Sequence, residues 1–330
     1  ELVFPDYAGN NHFNTIGNLL MDPRAGLVFV DFERGDLLQL TGRARIDWSS
    51  PAIERFEGAR RLVHFEIDEV VLVECALPLR WEGPGGSLRE LRIVEKRPES
   101  ADVASFVLAA PDGSALPGFA AGQHLPVALS IPGRRGHVAR TYSLSGSPAE
   151  PHYRITVKRE PHGLASRHLH DALAVGDSIA ASAPQGAFTL DASSARPVVL
   201  ASAGVGLTPL VAMLHELAAA DPSRPVWFVH GARDGAHHPL RREVEQRVAA
   251  MPRAHLHVAY SRPAPEDTGR RRHHGAGRID GALIEKLLPG LDADFYLCGP
   301  LRFMTALRDH LEARGVPAER IRSEAFGPAA

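Results

Sequence analysis

Cysteine is nearly missing: Cys75 and Cys298 are the two in 330 residues. Such a pair builds neither a disulfide framework nor a cysteine cluster for zinc or iron–sulfur, and a reducing cytoplasm is the compartment expected. Long apolar runs are missing too. No stretch approaches the roughly 18 unbroken apolar residues of a membrane-spanning helix, and no signal peptide opens the chain, so no membrane partner is expected. The net charge of −2 supplies no field to gather nucleic acid or anionic lipid. No internal repeat marks a solenoid. Histidines number 17, but ligand patterns are lacking. His255 and His257 alternate along a strand, and His237-His238 and His273-His274 are adjacent pairs. With no carboxylate or cysteine at ligand spacing, no metal site is expected. A starting Met is also lacking: Glu1 to Asp6 already reads as the end of a strand, as in a fragment of something longer.

What is present is an ordinary globular composition, 44% apolar and 23% charged, in a chain too long for one core. Three blocks separate by pattern. Residues 1–85 hold short β-rich runs, 26–32, 36–40, 62–67 and 70–75, with one short helix from Thr15 to Met21 stopped by Asp22-Pro23; that spacing suggests a small barrel. Gly83-Pro84-Gly85-Gly86 reads as a linker. Residues 86–192 are again β-rich, with a helical insertion from Ala165 to Leu173, which suits an antiparallel barrel with a ligand at its rim. Residues 193–330 alternate near-continuous apolar strands (197–201, 226–230, 255–260, 295–298) with helical patterns, the best being Leu210, Met213, Leu214 and Leu217. That pattern predicts a parallel sheet covered on both faces, with ligands outside the carboxyl ends of its strands. Arg270-Arg271-Arg272 lies in a polar loop.

Several short motifs carry chemistry, each with a plainer alternative. Gly204-Val205-Gly206-Leu207-Thr208-Pro209 follows a buried strand and opens an amphipathic helix. Its glycines let backbone approach a ligand, and the helix start presents N–H groups to a pyrophosphate. Pro209 stands where a third glycine would complete the usual fingerprint, but proline is tolerated in a first helical turn. A glycine-rich turn without a ligand reads equally well. Arg140-Thr141-Tyr142-Ser143 offers a fork for pyrophosphate, a ring face and a hydroxyl, or is a plain alternating strand. Gly163-Leu164-Ala165-Ser166 precedes a helix and could hold phosphate or be an N-cap. Pro184-Gln185-Gly186-Ala187-Phe188 reads as a turn. Cys298-Gly299-Pro300 ends what reads as the last parallel strand; a buried free cysteine is usually inert.

Taken together and in order over residues 87–330, these motifs resemble the ferredoxin–NADP reductase superfamily, and most nearly the reductase half of flavohaemoglobins. Arg-Thr-Tyr-Ser at 140–143, Gly-Leu-Ala-Ser-Arg-His-Leu-His at 163–170, Gly-Val-Gly-Leu-Thr-Pro at 204–209, His-Gly-Ala-Arg at 230–233, Cys-Gly-Pro at 298–300 and Glu-Ala-Phe-Gly-Pro at 324–328 carry the resemblance. It implies an FAD-binding barrel followed by an α/β domain for NAD(P)H. Arg140 would hold the FAD pyrophosphate with Thr141 beside it, Tyr142 would pack on the isoalloxazine, and Ser143 would meet flavin N5. His124 stands where the group often has a tyrosine contacting FAD. Gly163, Leu164, Ala165 and Ser166 would complete the phosphate cradle. Gly204, Val205, Gly206, Leu207, Thr208 and Pro209 would bind the nicotinamide dinucleotide, with Arg233 or Arg262 able to pair with a 2′-phosphate. Cys298, followed by Gly299 and Pro300, would sit beside the nicotinamide; Glu324 and Phe326 would close over the flavin. Ser143, Cys298 and Glu324 would be the catalytic side chains, and Phe326 would have to move aside for the nicotinamide.

The first block resembles the latter part of a pyridoxamine-phosphate-oxidase-like split barrel, on Phe4 to Asn10, Thr15 to Leu20, Asp22-Pro23-Arg24 and Thr41 to Arg45. That resemblance implies a homodimer through the barrel. Asn10, Asn11 and His12 replace the basic residues that hold FMN phosphate in the oxidase, which argues against FMN there. The expected architecture is therefore multidomain β and α/β: a partial split barrel, an antiparallel FAD-binding barrel and a parallel-sheet nucleotide-binding domain. A ferredoxin-type iron–sulfur domain or protein is the acceptor the resemblance implies.

Overall fold

The computed structural model describes residues 1–7, 14–31, 34–56, 59–77, 88–134, 136–269 and 273–325. The Gly83–Gly86 linker, Asn10 to His12, the three arginines at 270–272 and Phe326 lie outside the described residues. The chain divides into two compact units, Glu1–Gly86 and Ser87–Gly327. Among the described residues, no helix is long and apolar enough to cross a membrane.

The first unit is an antiparallel sheet of β1 (Leu2–Tyr7), β2 (Arg24–Asp31), β3 (Asp36–Asp47) and β4 (Ala59–Val73), in the order β1-β4-β3-β2. Helix α1 (Asn14–Met21) packs Ile16 and Leu19 against Leu40, Val63 and Phe65. The two runs 62–67 and 70–75, expected as separate strands, are one strand. Asp68 is taken up as a bulge where Thr41 pairs with Glu69 but Gly42 pairs with Ile67. Gly42 has to be glycine, because an added Cβ would collide with the Glu66 carbonyl.

The second unit opens with six antiparallel strands: β5 (Arg89–Pro98), β6 (Val103–Ala109), β7 (His124–Ser130), β8 (His137–Ser143), β9 (Tyr153–Lys158) and β10 (Ser178–Ala181). They run β8-β7-β10-β5-β6-β9, and a single bridge between Leu144 and Ile155 brings the two ends of that order together as a barrel. Leu91, Ile93, Phe106, Leu125 and Ile155 fill it. Helix α2 (Leu164–Arg167) continues as a π turn over His168–Ala172.

Then come six parallel strands, β11 (Val198–Ala203), β12 (Val226–Ala232), β13 (Ala254–Tyr260), β14 (Gly275–Ala276), β15 (Asp294–Gly299) and β16 (Ile321–Ala325), in the order β14-β13-β12-β11-β15-β16. Helices α3 (Leu207–Ala220), α4 (Arg241–Ala249), α5 (Pro265–Gly269), α6 (Gly281–Leu287) and α7 (Leu301–Ala313) connect them. Leu200, Phe228 and Tyr296 are buried with Leu210, Met213 and Leu214 of α3, while Val199, Phe295 and Leu297 are buried with Met304 and Leu307 of α7. Burial on both faces is why these strands read as unbroken apolar runs. One expectation is corrected: Cys298 does not end the last parallel strand. β16 follows at the sheet edge, and its Arg322, Ser323 and Glu324 hide it from any apolar pattern.

Barrel and parallel sheet share one compact unit, joined by a nearly buried ionic cluster. Arg154 of β9 forks onto Glu243 of α4, at 2.8 and 2.6 Å, and His215 of α3 meets the same carboxylate at 2.6 Å. Burial alone would push the Glu243 carboxyl up, but hydrogen bonds from His215 and Arg154, together with their charges, outweigh it and hold the group at about 2. A carboxylate held below its usual 4.5 stabilises the fold above that pH, and its contribution fades as the pH falls toward 2. That contribution is on the order of 3 kcal/mol. Glu243→Gln should therefore flatten the acid limb of the stability curve, read as urea midpoints above and below that window; an unchanged acid limb would count against the assignment.

Candidate active site

Register across the parallel sheet sets four side chains in one row. Glu324 of β16 pairs with Cys298 of β15, Cys298 with Ser202 of β11, and Ser202 with His230 of β12. On the barrel, His124 of β7 pairs with Ser143 of β8. The two sets meet at Glu324. Ser143 Oγ donates to Glu324 Oε2 at 3.5 Å, and His124 Nδ1 lies 3.7 Å from Glu324 Oε1. The fold thus gathers Ser143, His124, Glu324 and Cys298 at the seam between barrel and sheet.

The electrostatics of this seam follow from burial. Cys298 is fully buried, and burial, reinforced by the Glu324 charge, drives its thiol well above the usual range. The group is a neutral S–H, not a nucleophile. Alkylation of the native protein at mildly alkaline pH should label exposed Cys75 and spare Cys298, with both labelled after unfolding. Peptide mass spectrometry reads this directly, and native labelling of Cys298 would refute its burial. His230, wholly buried, is pushed down to about 3 by that burial and stays neutral, with Nδ1 2.9 Å from Ser202 Oγ.

The glycine turn lies where the chain order reverses. From β11 the chain runs to β12 and β13 on one side and later to β15 on the other, which opens a crevice at the carboxyl end of β11. Gly204 has φ +60 with open space around its missing side chain. Gly206 is the opposite: an added Cβ would strike the Cys298 carbonyl and come within 2.7 Å of Gly299 N. Gly299 is less tight, its would-be Cβ 3.2 Å from Ala203 N, but its φ of +157 also favours glycine. Pro300 follows as the N-cap of α7. The side chains of Leu207, Thr208 and Pro209 are buried, and Thr208 Oγ1 donates to Val205 O at 3.1 Å. What this motif offers a ligand is therefore backbone.

Along β8, Arg140 and Thr141 are exposed, Tyr142 is half-buried against the barrel core, and Ser143 is buried. Burial pushes the Tyr142 hydroxyl up to about 12 against the opposing pull of Arg140. The 163–166 turn is closed on itself. Ser166 Oγ accepts from Glu160 N at 3.1 Å and donates to Gly163 O at 3.3 Å, so its hydroxyl is already engaged. Arg233 and Arg262 stand at the ends of neighbouring strands β12 and β13, the Arg262 N–H donating to the Arg233 carbonyl at 2.8 Å. Asp234 is taken up by His237.

Three contributors escaped sequence reasoning. Gly186, in the turn read as featureless, has φ +115 and would place a Cβ 2.9 Å from His124 Nδ1, so that turn braces His124. Ser202 and His230 extend the row behind Cys298. His230 opens the His-Gly-Ala-Arg motif, but no local pattern signals the part any of them plays, because each acts through a partner far away in sequence. As a whole the arrangement suits a phosphate-bearing dinucleotide: a turn that excludes a Cβ at Gly206 and takes a left-handed φ at Gly204, at a switch point, ahead of a 14-residue helix. The exposed Arg140 beside buried Ser143 suits a second phosphate-bearing, ring-bearing group.

Comparison with known proteins agrees. Residues 90–190 match the family described as oxidoreductase FAD-binding domain, and residues 200–309 the oxidoreductase NAD-binding domain. The flavohemoprotein of Deinococcus radiodurans is 42% identical over 247 residues, covering 74% of this chain and 61% of the relative. The chain thus spans about three fifths of that relative's length. Among solved structures, the flavohem-like FAD/NAD binding domain of nitric oxide dioxygenase from Vibrio cholerae is 38% identical, with a TM-score of 0.66 over 73% of this chain and 99% of that one. Flavohemoglobin from Malassezia yamatoensis, with bound FAD and heme, is 29% identical, with a TM-score of 0.64 over 73% and 60%. The chain belongs to the family of flavohaemoglobin-type FAD- and NAD-binding reductase modules, and is an NAD(P)H-dependent flavin oxidoreductase.

Proposed function

We propose that this chain draws electrons from a reduced nicotinamide dinucleotide through FAD and delivers them singly to a haem protein of globin type. FAD, when bound, supplies the conversion from two-electron hydride acceptance to one-electron release. The chain's own residues bind and orient. Arg140 would hold the FAD pyrophosphate with Thr141 beside it, Tyr142 would pack on the flavin ring, and the 163–166 turn would add backbone N–H groups. The backbone of Gly204 to Pro209 holds the dinucleotide, with Gly299 and Pro300 forming the opposite wall and Arg233 and Arg262 placed for a 2′-phosphate. Ser143 directs its proton to Glu324 Oε2, which would leave its oxygen free to accept from a flavin N–H. Glu324 holds that proton position, braced by His124. Cys298, neutral and buried, shapes the wall beside the nicotinamide without competing as a base.

The single observation that carries this reading is Glu324 meeting Ser143 from the barrel while paired with Cys298 in the sheet. For the acceptor, the relatives' names favour haem over the iron–sulfur cluster anticipated above. Anaerobic addition of NADH or NADPH to the FAD-loaded chain should bleach the flavin absorption. The reduced chain should then reduce a ferric globin faster than a [2Fe–2S] ferredoxin. No bleaching with either nucleotide sinks the reductase reading, and a faster ferredoxin reaction sinks the haem assignment.

A second copy of the chain is the proposed partner of the N-terminal sheet. Phe29, Leu38 and Leu72 form one cross-strand row, and Phe29 and Leu72 are exposed. A strictly monomeric species in sedimentation at micromolar concentration would remove this partner.

A further inference from the structure

The proposed chemistry makes no use of the Arg154–Glu243–His215 cluster, yet among the described residues nothing else in the second unit engages a guanidinium, a carboxylate and an imidazole so closely across the barrel and the sheet. We infer that this cluster is a positioning clamp that fixes the flavin-binding strand of the barrel relative to the nucleotide-binding helix of the sheet, and that electron transfer between the two cofactors depends on it. The inference rests on the reading that Arg140 to Ser143 serve FAD and Gly204 to Pro209 the nicotinamide.

The path is continuous. Arg154 Nε reaches Ser145 Oγ at 3.2 Å and its Nη2 donates to the Ser145 carbonyl. Ser145 lies two residues beyond Ser143. Its hydroxyl also meets Thr156 Oγ1 at 2.8 Å, which in turn meets Ser105 at 2.8 Å, so this end of the clamp is anchored in the barrel interior. The other end of the Arg154 fork grips both oxygens of Glu243. Glu243 Oε1 is shared with His215, which sits eight residues into α3, the helix that begins at the glycine turn. A helix transmits the position of one residue to its start, because its hydrogen-bonded backbone is rigid over two turns.

Geometry distinguishes this cluster from ordinary surface pairs. A bidentate guanidinium–carboxylate fork fixes angle as well as distance. The side chains of Arg154, His215 and Glu243 are only 10%, 6% and 22% exposed, so water competes little for the fork. Apolar residues of like volume would commonly fill such a site with equal stability, but they would not lock its orientation. Elsewhere between barrel and α3 the contact is steric: an added Cβ at Gly122 of the barrel would strike the Phe188 carbonyl and lie 2.6 Å from Met213 Cε of α3. The clamp therefore holds a close-packed seam in register rather than bridging a gap.

The test uses the FAD-loaded chain with Glu243→Gln and Arg154→Lys, which keeps charge but loses the fork. FAD content and NADH affinity are measured by titration, the limiting rate of anaerobic flavin reduction by stopped flow, and amide exchange at 143–146 and 204–212 without nucleotide. Both variants should retain FAD and bind NADH within about twofold, because the clamp touches neither cofactor in this reading. The limiting rate should fall roughly tenfold to a hundredfold, since small misplacements cost that much, and exchange should quicken at both segments. Should Glu243→Gln fail to fold, Arg154→Lys alone decides. A wild-type limiting rate with unchanged exchange overturns the clamp, as does a lowered melting temperature without either change. An unaltered chain that binds no FAD, or is not bleached by nucleotide, instead overturns the reading on which the clamp rests.

Discussion

Gly206→Ala is expected to abolish reduction of the flavin by NADH or NADPH while leaving FAD bound. The methyl group would enter space held by the Cys298 carbonyl and Gly299 N, all backbone, so no side-chain rotamer can give way. Either β15 shifts or the turn lifts, and both change the crevice where β11 and β15 diverge. Overpacking of this kind costs about 1–3 kcal/mol of stability, which a domain of this size survives. The functional cost is larger, on the order of a hundredfold or more in kcat/KM, because the dinucleotide is displaced from its reacting position. Gly204 supplies the control. It needs its glycine for φ +60 and not for space, so Gly204→Asn, a residue that tolerates the left-handed region, should keep most activity. Steady-state kinetics with FAD content measured in parallel checks both, and equal damage from the two substitutions would refute the steric account.

The second large effect is expected at Arg140. Its side chain is exposed on β8 at the end of the barrel sheet, where its Nη1 donates to the Ala139 carbonyl. The fold hardly uses it, so Arg140→Ala should change stability by less than about 0.5 kcal/mol. Flavin affinity is another matter. Two charge-assisted hydrogen bonds to a pyrophosphate are together worth roughly 3 kcal/mol or more, upward of a hundredfold in affinity. The variant should purify folded and colourless. The FAD-to-protein ratio after gel filtration reads the outcome, and full retention would show that the pyrophosphate is held elsewhere.

These expectations draw unequally on sequence. The glycine turn, the Arg-Thr-Tyr-Ser strand and the buried parallel strands were legible because each concentrates its signal in neighbouring residues: apolar runs, a turn that needs glycine, an alternating strand. β10 and β16 were not. One is only four residues long and the other carries Arg322, Ser323 and Glu324 at an edge, so neither shows the apolar period that announces a strand. Ser166 was legible as a helix-start residue, but not that its hydroxyl is spent closing its own loop. The Arg154–Glu243–His215 cluster lay wholly outside sequence reasoning, for its members are 89 and 28 residues apart.

Cys298 and Glu324 draw the line most clearly. By itself the sequence determined the order of the modules, since backbone conformation and burial are written locally in glycine, proline and apolar spacing; the kinds of group each would bind followed only from the family resemblance its motifs carry in order. Only the tertiary structure decided which side chains share a site. Strand order set β16 beside β15 and packed both against the barrel, so that a carboxylate 181 residues from Ser143 came within reach of its hydroxyl. Register and domain packing are properties of contacts between distant segments, and a chain read along its length carries no measure of them.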